Sequence, residues 1–133
     1  VFFLLSRETR GLPGICRIEK TGWDPALARA DVCLVEADGM IPDETGYRRV
    51  LPPGTLFGGY APLFGSLLNG SGFHCASAAL MLQKQIRFAC PVPDNPHGLR
   101  LVTATEPAGL QSVSTLKIDC SGKPAVIRLT SAC

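Results

Sequence analysis

The chain has 133 residues, 46% of them apolar and 18% charged, with 13 Lys and Arg against 11 Asp and Glu. That length fits one domain, 1–133, with a modest core, and the apolar content excludes a disordered chain because it can offset ordering entropy. The net charge is only +2 and the basic residues are scattered, Arg48–Arg49 being the densest pair, which argues against nucleic-acid binding by phosphate neutralisation.

Val1–Ser6 reads as a strand at a mature N-terminus. Its apolar run, Val1–Leu5, is far short of the ~20 residues of a membrane span, and no positive n-region precedes it, as a signal peptide would require. "GLPG" at 11–14 is a turn. "ICRIEK" at 15–20 and "VCLVEA" at 32–37 are strands on either side of a short helix near 25–31, where Asp24 suits the N-cap and Pro25 the first helical position. Asp31, Glu36, Asp38, Asp43 and Glu44 follow closely in sequence and read as a solvated rim, with a calcium site as the alternative. From Asp38 to Gly72 the chain is rich in Pro and Gly but still apolar, with one strand expected at "GYRRVL". Such a loop packs on the domain or forms a binding surface. Tyr47, Arg48, Arg49, Phe57, Tyr60 and Phe64 are the candidate binding residues there.

The main helix is expected at about 74–90, with Cys75, Ala78, Ala79, Leu82 and Ile86 on its inner face. The prolines of "PVPDNPHG" stop it. "LRLVTAT", "SVSTLKIDC" and "AVIRLTSAC" read as strands, the last two joined by a hairpin turn at "CSGKP". The expected fold is α+β: an antiparallel sheet of about four to six strands packed on one main helix.

Six cysteines (Cys16, Cys33, Cys75, Cys90, Cys120 and Cys133) form an even set without CxxC spacing, which predicts disulfide staples and an oxidising compartment rather than zinc. A continuous helix would hold Cys75 and Cys90 about 22 Å apart, beyond the ~7 Å reach of a disulfide. A hairpin likewise separates Cys120 from Cys133. A Cys16–Cys33 bridge, or a crossing of these two with the tail, is favoured, while Cys75 and Cys90 pin the helix elsewhere. Asn69–Gly70–Ser71 is a glycosylation sequon that agrees with export.

Two catalytic alternatives are legible. "GSGFHCASAAL" resembles the Gly-rich, Cys-at-helix-start segment of papain-like and OTU-type proteases, which would make Cys75 a nucleophile served by His74 or His97. His74 and His97 with Arg100 or Lys84 have the residue types of a small ribonuclease, with His97 as the catalytic candidate. Against both, His97 in "DNPHG" reads as a turn residue and His74 as a helix cap. No His, Asp and Glu set has metal-ligand spacing, and no phosphate-binding Gly-rich loop is present.

The even cysteine count, the Cys-started helix ending in "FAC" and the closing strand "VIRLTSAC" resemble small secreted cysteine-rich fungal effectors and killer toxins over residues 73–133. "FHC" is similar to the Y-x-C opening of ribonuclease-like mildew effectors, although there it lies near the mature N-terminus and here 72 residues precede it. The resemblance implies a secreted virulence or antagonism protein, extracellular or delivered into host cells. It would act as a monomer by binding a host or competitor protein or glycan, with no catalysis and no cofactor.

Overall fold

The computed structural model describes residues 16–36, 46–65, 69–91, 95 and 98–132. Numbered in chain order, the strands are β1 (Cys16–Gly22), β2 (Val32–Val35), β3 (Phe57–Gly58), β4 (Ile86–Arg87), β5 (Glu106–Pro107), β6 (Ser112–Ile118) and β7 (Pro124–Ser131). The α-helices are α1 (Gly46–Val50), α2 (Ala61–Phe64) and α3 (Gly70–Lys84). A single 3-10 turn occupies Pro25–Ala28, with the Asp24 carboxylate accepting from Ala26 N at 2.9 Å and Pro25 opening it, as the sequence predicts. Val1–Ser6, "GLPG", Asp38, Asp43, Glu44, His97 and Cys133 lie outside the described residues.

Five strands form the central sheet in the order β1-β7-β6-β2-β3, and β4 pairs with β5 in a small separate ribbon. The expected antiparallel sheet is corrected here: β1, β7 and β6 are antiparallel, but β2 runs parallel to both β6 and β3. The sequence of β2 carries the reason. "VCLV" is apolar at every position and all four residues are buried, as in strands covered on both faces. "GYRRVL" forms the short helix α1, not a strand. "LRLVTAT" contributes only a single bridge, Leu101 to Phe57.

Each face of the sheet has its own cluster. Cys33, Val35, Leu116, Ile118 and Val126 pack with Leu27, Ala28, Tyr47 and Leu51 on one side. Val32, Leu34, Val113 and Leu129 pack with Ala78, Met81 and Leu82 of α3 on the other. Helix α3 runs Gly70–Lys84, starting and ending earlier than expected. It stops at Gln85, whose φ of 53° is left-handed. A non-glycine residue is held there by its own side chain. Its amide Nε2 donates to Leu82 O (2.8 Å) and Leu110 O (3.0 Å), while Leu110 N donates to its Oε1 (2.8 Å).

The β6–β7 hairpin falls where "CSGKP" places it. Asp119 accepts from Ser121 N, Lys123 N and the Ser121 hydroxyl at 2.6–2.8 Å, and Gly122 supplies a φ of +80°. Pro124 opens β7, a position that needs no ladder N–H.

The disulfide framework is also corrected. Cys16, Cys33, Cys75, Cys90 and Cys120 are free thiols. Cys16 lies on β1 and Cys33 on β2, with β7 and β6 between them. Three strand spacings of about 4.8 Å make ~14 Å, twice the reach of a bridge. The fold is held by sheet pairing and two apolar clusters, not by sulfur.

Candidate functional site

Across the α3 face, register aligns one row of side chains: Thr21 on β1, Ile127 on β7, Thr115 on β6 and Leu34 on β2. The next row begins with Glu36, just past β2, and continues through Lys117 to Ala125. Helix α3 covers this face over β6, with its N-terminal turn at Glu36. The space left between that turn and the β1–β7 side is a cavity of about 320 Å³. Leu34, Ile127, Ala125 and Trp23 contribute apolar wall, and Glu36, Ser71, His74, Thr115 and Lys117 contribute polar groups.

Glu36 is the centre of this cluster. Only 4% of it is exposed, and a buried carboxylate is costly unless it is paired. Its Oε2 accepts from the Ser71 hydroxyl at 2.8 Å and faces Lys117 Nζ at 3.0 Å. The N-terminus of α3 favours a negative charge at the same place. Oε1 has no hydrogen-bond partner among the described residues. It lies against Gly70, where any Cβ would fall inside the carboxylate. Gly70 is therefore needed for this approach. Glu36 was expected on a solvated rim; it is instead a buried, paired acid. Asp31, from the same expected rim, accepts from Gln111 N and Ser112 N at 2.7 and 2.9 Å. Among the described residues no three His, Cys, Asp or Glu side chains gather as a metal site.

His74, expected to cap a helix, is 1% exposed in the second turn of α3. Its Nε2 accepts from Tyr60 N at 3.3 Å, so that nitrogen carries no proton, and Phe64 meets the ring edge-on at 5.2 Å. The other expected binding residues are placed as follows. Tyr47, Phe57 and Tyr60 are 1–5% exposed, with the Tyr47 and Tyr60 hydroxyls donating to Glu36 O and Phe88 O at 2.7 Å. Phe64 stacks on Phe73 with centroids 4.9 Å apart. Arg49 is exposed on α1 beside Arg48. Tyr47 and Phe57 belong to the apolar cluster on the α1 face and Tyr60 to that on the α3 face.

The thiols are arranged against nucleophilic chemistry, which needs thiolate. Burial pushes Cys33 up to about 12 and raises Cys16 and Cys75. Cys75 Sγ is 3.8 Å from the Thr115 hydroxyl, and Cys90 Sγ donates to Gly59 O at 3.3 Å, a bond that requires its proton. Cys75 lies in the second turn of α3, not at its N-terminus, and burial raises its thiol, against the nucleophile reading.

No protein-family model matches the chain, and no curated protein does. Solved structures do. One is a chain of a type II polyketide synthase assembly, an acyl-carrier protein in complex with its ketosynthase bound to the hexaketide (TM-score 0.63, 13% identity, 80% of this chain and 29% of that one). Two others are the oxazolomycin ketosynthase domains OzmH KS7 and OzmH KS8 of Streptomyces albus JA3453. KS7 matches with a TM-score of 0.63 at 14% identity over 96% of this chain and 32% of that one. KS8 matches with a TM-score of 0.59 at 16% identity over 80% and 34%. The chain thus spans about a third of the length of the structures it matches. The expected secreted, disulfide-stapled effector or toxin, and the extracellular location that went with it, do not stand. The thiols are unbridged, and the fold is the one seen in these biosynthetic ketosynthase structures. Among the described residues no helix is long and apolar enough to cross a membrane.

Proposed function

We propose that this chain is a ketosynthase-fold unit of acyl-chain assembly that binds the acyl group held on a carrier protein. One observation carries the reading: the likeness to ketosynthase structures extends over 80–96% of the chain, and one of those structures includes an acyl-carrier protein and a bound hexaketide. The local chemistry fits a holding role. A cavity with an apolar wall and a paired carboxylate opens on the α3 face of the sheet.

Binding of a hexanoyl-loaded type II acyl-carrier protein, measured by surface plasmon resonance against the unacylated carrier, tests the proposal. The loaded carrier is expected to bind the more tightly, by about tenfold or more, equivalent to ~1.4 kcal/mol. Equal binding of the two forms, or none, would overturn it.

A further inference from the structure

We propose that the cavity between β1, β7, β6, β2 and the first turns of α3 is a site for a neutral, short acyl group. In this site the acyl carbonyl oxygen accepts from the Lys117 ammonium, and the hydrocarbon lies along Ile127, Ala125 and Trp23. The inference rests on the acyl-assembly reading only for the thioester as the form in which such a group arrives. The choice of a neutral guest comes from the cavity itself.

Three observations support it. The first is charge. Glu36 and Lys117 neutralise one another at 3.0 Å. A carboxylate guest would compete with Glu36 for the ammonium and leave a second anion beside an oxygen that already lacks a donor among the described residues. An amine guest would set two cations on one buried acid. A carbonyl adds no charge, and the ammonium has three donors, of which the Glu36 contact occupies one. The second is size. A volume of about 320 Å³ lies at the small end of the ~300–1,000 Å³ range of ligand clefts, room for a short chain and not a long one. The third is the wall. Trp23 lines the cavity yet is 65% exposed, leaving a large apolar ring for a guest to cover.

Trp23 also provides the signal, because it is the chain's one tryptophan. Titration of the unmodified chain with the hexanoyl thioester of N-acetylcysteamine, followed by tryptophan emission, is expected to give a saturable blue shift. Hexanoate and hexylamine are expected to bind at least about tenfold more weakly. Lys117→Met, which keeps the stem and removes the donor, is expected to weaken thioester binding to a similar extent. Ala125→Leu, which fills the cavity beside Lys117 and keeps both charges of the ion pair, is expected to abolish it. The wild-type ranking of the three probes does not depend on either variant folding. An absent or unsaturable response to the thioester, or hexanoate binding as tightly as the thioester, would overturn the proposal. So would unchanged affinity in a folded Lys117→Met. Loaded-carrier binding without a thioester response would refute this site alone. A thioester response without loaded-carrier binding would refute the carrier reading and leave the site standing.

Discussion

The two faces of the central sheet are built for different ends. On the α1 face, Cys33, Val35 and Ile118 are 0–3% exposed, closed over by Tyr47, Leu51 and the 3-10 turn. On the α3 face, the helix covers Val113 and Leu129 but leaves the end near Glu36 open as a cavity. The closed face carries apolar burial and contributes mainly stability. The open face carries a buried carboxylate, Glu36, paired with a half-exposed lysine, so its desolvation is only partly offset. That is the arrangement expected where structure serves a ligand.

Truncation should separate the faces most strongly. Ile118→Ala on the closed face should cost about 2–5 kcal/mol in urea unfolding, because a fully packed site cannot collapse. Ile127→Ala, opposite Thr115 on the half-covered cavity wall, should cost less than half of that. Equal losses would show that the cavity is filled in solution. A smaller effect is expected from Lys117→Met. Removing the partner of a buried carboxylate leaves it on Ser71 alone, a loss of about 1–2 kcal/mol, discounted because the Lys117 side chain is 43% exposed. An unchanged urea midpoint would show that the pair is not formed.

The third contrast is in pH dependence, and its sign differs between two groups. Cys33 is raised by burial from an ordinary 9.0 to about 12. Its contribution is therefore complete below pH 9 and is lost as pH rises towards 12, by at most about 1.4 kcal/mol per unit. Asp119 is lowered from 3.8, first by the Ser121 hydroxyl and then by Lys123 N. Its contribution is present above that value and is lost as pH falls below it. Cys33→Ala should flatten the alkaline limb of a stability–pH curve and Asp119→Ala the acid limb. Either limb surviving its substitution would assign it to another group.

What could be read from the residues was local. Asp24 and Pro25 open the 3-10 turn, "CSGKP" makes the hairpin, and β1, β2, β6 and β7 fall where period-two and apolar runs put them. Strand direction was not legible, because periodicity is the same in parallel and antiparallel pairs. The available signal was the unbroken apolar run of "VCLV". The helix end was misread because its left-handed residue is Gln85 and not glycine. The even cysteine count misled about chemistry, since parity carries no geometry and the sheet order separates Cys16 from Cys33. The site was missed because Glu36 looked like one more acid in a polar run. Its position directly after a fully buried strand, with Lys117 two residues along from Thr115 on the same face of β6, was the clue.

The parallel placement of β2 is the claim on which the ketosynthase likeness and the Glu36–Lys117 pairing both depend. Cross-strand backbone NOEs in the labelled chain test it directly. The account predicts Val32 opposite Val113 and Val35 opposite Leu116. Val32 opposite Leu116 with Val35 opposite Val113 would reverse the strand and contradict it.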